Sequence, residues 1–313
     1  MNKLILFIAL CLLGCTQSEI STKSANATSQ PKPENQTSVA SNTDLIYALP
    51  FAPGVDPLSV CGPVDDLEHV EYFSGSIGEN AQYAADHQAS TVQFQWLASA
   101  RIREILGPGS QAGNIGSVRW CTGTLLEGNK ILTAAHCFPD DSDDWELPSV
   151  NGQVTKAAVN ATLMQVVFNY QLSGNTGADR RVETYAVKQL LEHWNGGLDY
   201  AVIELGGVIE ENSEYSLTPA QISTRVVESE EILAIIQHPR GQRKKIHSGR
   251  SAGLVGPLLH YGNIDTHGGS SGSGIRDKDG VVVGVHIQGG CRVTSGTNKG
   301  VALSEIANHS SFF

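Results

Sequence analysis

The sequence lacks an apolar run able to cross a bilayer as a helix. The N-terminal run from Leu4 to Leu13 is ten residues, against about twenty for a spanning helix. It lacks an excess of positive charge: 21 Lys and Arg stand against 32 Asp and Glu, a formal charge of −11. General attraction to phosphate backbones or anionic headgroups is therefore excluded, and no nucleic-acid partner is expected. At 17% charged residues it is too poor in Lys and Glu for a coiled coil. The cysteines lack metal-ligand spacing and no His pair stands at i and i+4, so no metal and no cofactor are expected. There is no internal repeat. What is present is 40% hydrophobic residues and 33 glycines, the composition of a fold rich in turns.

Lys3 followed by the short apolar run reads as a signal peptide over residues 1–14. The run ends Leu12, Leu13, Gly14, Cys15, which resembles the lipobox of bacterial lipoproteins. That resemblance implies cleavage before Cys15, its diacylation, and attachment to a membrane of the cell envelope. From Thr16 to Asp44 the chain is mostly Ser, Thr, Asn, Gln and Pro, with few aliphatic residues and no aromatic one. Such a segment cannot bury enough surface to offset its ordering entropy. Residues 15–60 are accordingly expected to be a lipidated tether or pro-segment, and residues 61–313 the folded domain.

Setting aside Cys11 and Cys15 leaves Cys61, Cys121, Cys137 and Cys291. An exported chain with four cysteines invites two disulfides, for which three pairings exist. Pairing Cys121 with Cys137 would close a short loop, and pairing Cys61 with Cys291 would clip the start of the domain to its end.

Beyond Cys61 short β-branched or aliphatic runs are separated by Gly, Asn and Asp turns, among them Lys130 to Ala134, Tyr200 to Leu205, Ile232 to Ile236 and Val281 to Ile287. This predicts an all-β barrel or sandwich. Asp279-Gly280 before Val281 predicts a hairpin. Helical spacing appears briefly at Gln93 to Leu106 and Val187 to His193, and Lys244 and Lys245 are expected to be solvated on a hairpin. His238, His260 and His267 are expected to be ordinary surface or supporting residues.

Three local sequences carry chemistry: TAAHC with His136, GLDYAVIEL with Asp199 and GGSSGSG with Ser271. A serine hydroxyl is a poor nucleophile unless a base takes its proton, and histidine titrates near neutrality. His136 is the candidate base and Asp199 the carboxylate that fixes its tautomer. The glycine-rich turn allows the backbone N–H groups of Gly269 and Ser271 to face a developing oxyanion.

Taken together, the three segments resemble the trypsin-like serine peptidases, in the chain order His, Asp, Ser. The resemblance implies two packed six-stranded antiparallel β-barrels with the active site between them. His136 and Asp199 would come from the first barrel and Ser271 from the second. Ser270 stands where digestive members have the Asp that captures a new N-terminal amine, so that activation switch is not expected. GSSGS and QHPRGQRKKI (Gln237 to Ile246) are similar to the bacterial glutamyl and lysyl endopeptidases. In the lysyl enzymes a Cys near the mature N-terminus pairs with one after a GG element, which matches Cys61 and Cys291.

The resemblance also supplies a specificity pocket. Thr266 and His286 match the Thr and His that hold a substrate carboxylate in the glutamyl enzymes. Asp265 occupies the place of the trypsin Asp that attracts Lys or Arg. Asp265 and His286 are expected to pair with each other, with an acidic substrate side chain favoured and a basic one the alternative. The expected activity is that of a monomeric serine endopeptidase acting on proteins or peptides. The competing reading is a non-catalytic binding module of the same fold.

Overall fold

The computed structural model describes residues 59–75, 80–141, 145–207 and 217–313. The expected signal peptide, Cys15 and the tether up to residue 58 lie outside them.

Six strands close the first barrel: β1 (Thr91–Trp96), β2 (Arg119–Leu126), β3 (Lys130–Thr133), β4 (Met164–Phe168), β5 (Glu183–Trp194) and β6 (Tyr200–Gly206), in the ring order β1-β2-β3-β6-β5-β4. Six more form the second: β7 (Ile232–Gln237), β8 (Lys245–Val255), β9 (Leu258–Gly262), β10 (Gly274–Asp277), β11 (Val282–Gln288) and β12 (Asn298–Ala302). Their order is β7-β8-β9-β12-β11-β10, closed by the β8–β9 pairing. The second ring thus repeats the connectivity of the first, a symmetry with no counterpart in the residues themselves. Glu68–His69 adds a short strand to the outer edge of β8. Closure leaves neither barrel an open edge between its own strands.

Period-two alternation explains how the barrels meet. Ile131 and Ile203 point into the first barrel with Phe94, Trp96 and Val166, while their neighbours Leu132 and Val202 point outward. Those outward residues pack with Val285, Val301, Leu303 and Ile306 of the second half. Strands buried on both faces read as continuous apolar runs rather than alternating ones, which is the pattern of KILTAA and YAVIEL.

The Asp279-Gly280 turn joins β10 to β11, with Gly280 at φ 79°. Three expectations are corrected. Val187 to His193 is part of strand β5, where β6 pairs along it and β4 pairs with the preceding residues Glu183 to Ala186, so ladder hydrogen bonds override the helical spacing. Gln93 to Leu106 divides into strand β1 and a helix over Ser99–Leu106. Lys244 is fully buried rather than solvated, its Nζ donating to the Gln88 carbonyl at 2.8 Å and to Gln88 Oε1 at 3.1 Å. Burial pushes its pKa down to about 7. His238 is likewise fully buried, with Nδ1 2.9 Å from the Gln242 carbonyl.

Candidate active site

Strand β3 ends at Thr133 and delivers His136 on a short 3-10 turn, Ala135–Cys137. The disulfide Cys121–Cys137 ties that turn back to β2. Asp199 precedes β6 and holds φ at 50°, a left-handed conformation uncommon for a residue with a Cβ. What holds it there is a double grip. Asp199 Oδ2 accepts from His136 Nδ1 at 2.7 Å and Oδ1 accepts from the His136 backbone N–H at 2.9 Å. Because an ionised carboxylate only accepts, the imidazole carries its proton on Nδ1 and leaves Nε2 as an acceptor. Burial raises the Asp199 pKa, but the hydrogen bonds and charge of His136 and the Ala135 N–H outweigh it and hold the carboxyl below its ordinary range.

Ser271 lies in the turn before β10. The Ser270 N–H donates to the His267 carbonyl at 3.0 Å, Gly272 N–H to the His286 carbonyl at 2.8 Å, and Ser273 N–H to the Ser270 carbonyl at 3.1 Å. Among the described residues the N–H groups of Gly269 and Ser271 donate to no acceptor. The turn therefore uses its other amides internally and leaves these two available. Ser270 is buried, and its Oγ accepts from the His267 N–H at 3.1 Å.

Thr122 on β2 joins this turn to the first barrel. Its N–H donates to the Ser271 carbonyl at 2.9 Å and its hydroxyl to the Gly269 carbonyl at 2.8 Å. The same hydroxyl accepts from the His238 N–H at 3.0 Å, and the Thr122 carbonyl accepts from Thr133 Oγ1 at 2.7 Å. The Ser271 carbonyl also lies 3.9 Å from Cys137 Sγ, one residue past His136. Gly272, at φ 86°, presses against the same strands, where a Cβ would come 2.0 Å from Thr133 Oγ1 and 2.2 Å from the Thr122 carbonyl. The structure thus brings His136 and Asp199 into direct contact and seats the Ser271 turn on β2 and on the end of β3, the strand that leads to His136. Cys121, His136 and Cys137 lie close together, but both sulfurs are committed to the disulfide and offer no thiolate to a metal.

The pocket residues are arranged otherwise than expected. Asp265 does not pair with His286. Its carboxylate is buried and accepts from the backbone N–H groups of Cys61 at 2.7 Å and Asp66 at 2.8 Å. The physical reason is that a strap over residues 59–69 crosses this part of the second barrel. The Cys61–Cys291 disulfide fastens it, and Asp65 Oδ2 lies 2.8 Å from His267 Nε2. Those contacts give the buried carboxylate amide donors nearer than any imidazole. His286 instead bonds through Nδ1 to the Tyr261 hydroxyl. Burial first, then the charge of His136, pushes its pKa down to about 3, so it is neutral at ordinary pH.

Ser59 and Thr266 exchange backbone hydrogen bonds at 3.2 Å. Ser59 Oγ accepts from Gly290 N–H at 2.7 Å and Cys291 N–H at 2.9 Å and donates to Asn298 Oδ1. Asn298 Nδ2 reaches Thr266 Oγ1 at 3.2 Å. Ser59, Asn298 and Thr122 carry no motif signal, since each owes its place to a contact across more than a hundred residues. Replacing Thr122 with Val would keep the side-chain shape but leave the Gly269 carbonyl and the His238 N–H unpaired. Each such buried group costs about 1–3 kcal/mol, so Thr122→Val should lower the unfolding free energy by at least that much, read as a lower urea midpoint at an unchanged m-value.

The sequence profile of the trypsin-like peptidase domain matches residues 121–285, a stretch that contains His136, Asp199 and Ser271. Many solved structures are similar, and two illustrate the likeness. One is Rv3671c from M. tuberculosis H37Rv, as a serine-to-alanine mutant in an inactive form. It has 13% identity over 79% of this chain and 93% of that chain, with a TM-score of 0.47. The other is the Rv3671c protease in an inactive form, at 15% identity over 72% of this chain and 89% of that chain, with a TM-score of 0.43. Comparison with curated proteins gives no match. On the profile match, which spans more than half of its length, this chain belongs to the trypsin-like peptidase family.

Proposed function

We propose that the protein is a serine endopeptidase that forms an acyl-enzyme on Ser271. The observation that carries this reading is the grip of Asp199 on His136, which leaves imidazole Nε2 as a base. In the proposed cycle Nε2 takes the Ser271 hydroxyl proton as Oγ attacks the substrate carbonyl, then returns it to the departing amine. Asp199 stabilises the imidazolium without becoming protonated. The unused N–H groups of Gly269 and Ser271 receive the oxyanion, and water then releases the acyl group. A fluorophosphonate probe should label the wild type and leave Ser271→Ala unlabelled. In Asp199→Asn, kcat should fall by about 10⁴, because the amide can donate to Nδ1 and favour the wrong tautomer.

On the acyl side of the cut the reading favours Glu or Asp over Lys or Arg. Asp265, the group that would draw a basic side chain, is already engaged by two amides of the strap, while Thr266 retains a hydroxyl able to donate to a carboxylate. Peptides differing only at that position should show a higher kcat/KM for Glu than for Lys. The reverse order would assign the pocket to Asp265.

The chain is also proposed to be exported and held in the cell envelope through acylated Cys15, a reading that rests on the sequence before residue 16. Metabolic labelling with a fatty-acid analogue should mark the wild type and not Cys15→Ser.

A further inference from the structure

A cavity of about 300 Å³ opens between residues 86–90, 218–221 and the end of β10 with the turn after it, 276–280. This is within the range of small-molecule sites. One wall is Arg276 on β10, only 1% exposed. Its Nη2 donates to Ser90 Oγ at 2.7 Å and its Nη1 to the Gly280 carbonyl at 3.0 Å, while Nε is buried and unpartnered. A guanidinium has five N–H donors and keeps its charge, so two bonds to neutral oxygens leave most of its capacity unused.

No carboxylate among the described residues neutralises it. Asp277, next along the strand, accepts from Arg225 at 3.1 Å and from the N–H groups of Asp279 and Val281, both at 3.0 Å. Burying an ion without a counter-charge is costly, and burial does depress the Arg276 pKa. His87 is no substitute. Its ring lies against Gly280, where a Cβ would fall 2.2 Å away, and its pKa is lowered by burial and by the Arg276 charge.

The rim has the opposite sign. Asp86 and Asp279 line the same cavity and both are exposed. Asp86 accepts from Gln82 Nε2 at 3.0 Å, and Asp279 accepts from Lys278 Nζ at 2.7 Å on the surface. A cavity with a buried cation at its base and two carboxylates at its mouth disfavours a simple polyanion. It suits a molecule carrying both charges.

We propose that this cavity binds a small zwitterion, a free amino acid or short peptide, with its carboxylate on Arg276 and its ammonium group toward Asp86 and Asp279. Ser90, Thr218 and Gln221 supply neutral polar groups along the walls. The site is independent of the acyl-enzyme chemistry proposed for Ser271.

Calorimetric titration and thermal shift of the Ser271→Ala protein test this, with alanine and dialanine as probes. N-acetyl-alanine serves as the control without an ammonium group, and alaninamide as the control without a carboxylate. Alanine or dialanine should bind and raise the melting temperature in a saturable way, and both controls should bind more weakly. Arg276→Gln should abolish the shift. Should that variant not fold, the exposed double variant Asp86→Asn, Asp279→Asn should fold normally and bind alanine and N-acetyl-alanine with similar affinity. No saturable shift with either zwitterion would overturn the proposal. So would a shift unchanged in either variant, or N-acetyl-alanine binding the parent protein as well as alanine does.

Discussion

Thr122 is the point on which the arrangement of the site depends. It belongs to the first barrel, yet its backbone N–H and its hydroxyl hold the carbonyls of Ser271 and Gly269 in the second, while its own carbonyl takes the Thr133 hydroxyl. Thr133 ends the strand that leads to His136. One fully buried residue therefore fixes the turn bearing the proposed nucleophile against the strand bearing the proposed base. Catalysis by groups from separate barrels requires such a connection, because misplacement by about 1 Å can cost about a hundredfold in rate.

The same logic of satisfied buried groups accounts for the pocket. A carboxylate taken out of water must find donors, and Asp265 finds them in the amides of Cys61 and Asp66. The disulfide to Cys291 keeps that strap in place. An acid that sequence position alone assigns to the substrate becomes an anchor for the chain's own N-terminal segment. Arg276 is the converse case, a buried charge for which the described residues supply only neutral acceptors. One group is satisfied from within and the other is not, which is why the first reads as structure and the second as a binding site.

The parts legible in the sequence were those with local causes. Runs such as Ile131 to Ala134 and Tyr200 to Leu205 announced strands, Asp279-Gly280 announced a hairpin, and the glycines around Ser271 announced a turn that admits positive φ. Lys244 was misread because charge predicts exposure on average, whereas this ammonium is enclosed and bonded to Gln88. Val187 to His193 was misread because its spacing suits a helix, while β6 offered a ladder along it that continues the β4 pairing of Glu183 to Ala186.

By itself the amino-acid sequence determined the class of strands, the glycine-rich turn and the chemical identities of His136, Asp199 and Ser271, since these follow from residues adjacent along the chain. Only the tertiary structure decided which carboxylate holds His136, which is sealed behind the strap, and which arginine meets only neutral acceptors among the described residues. Those outcomes depend on donors and acceptors brought from distant positions, and burial, which is a property of the whole fold, sets what each missing partner costs.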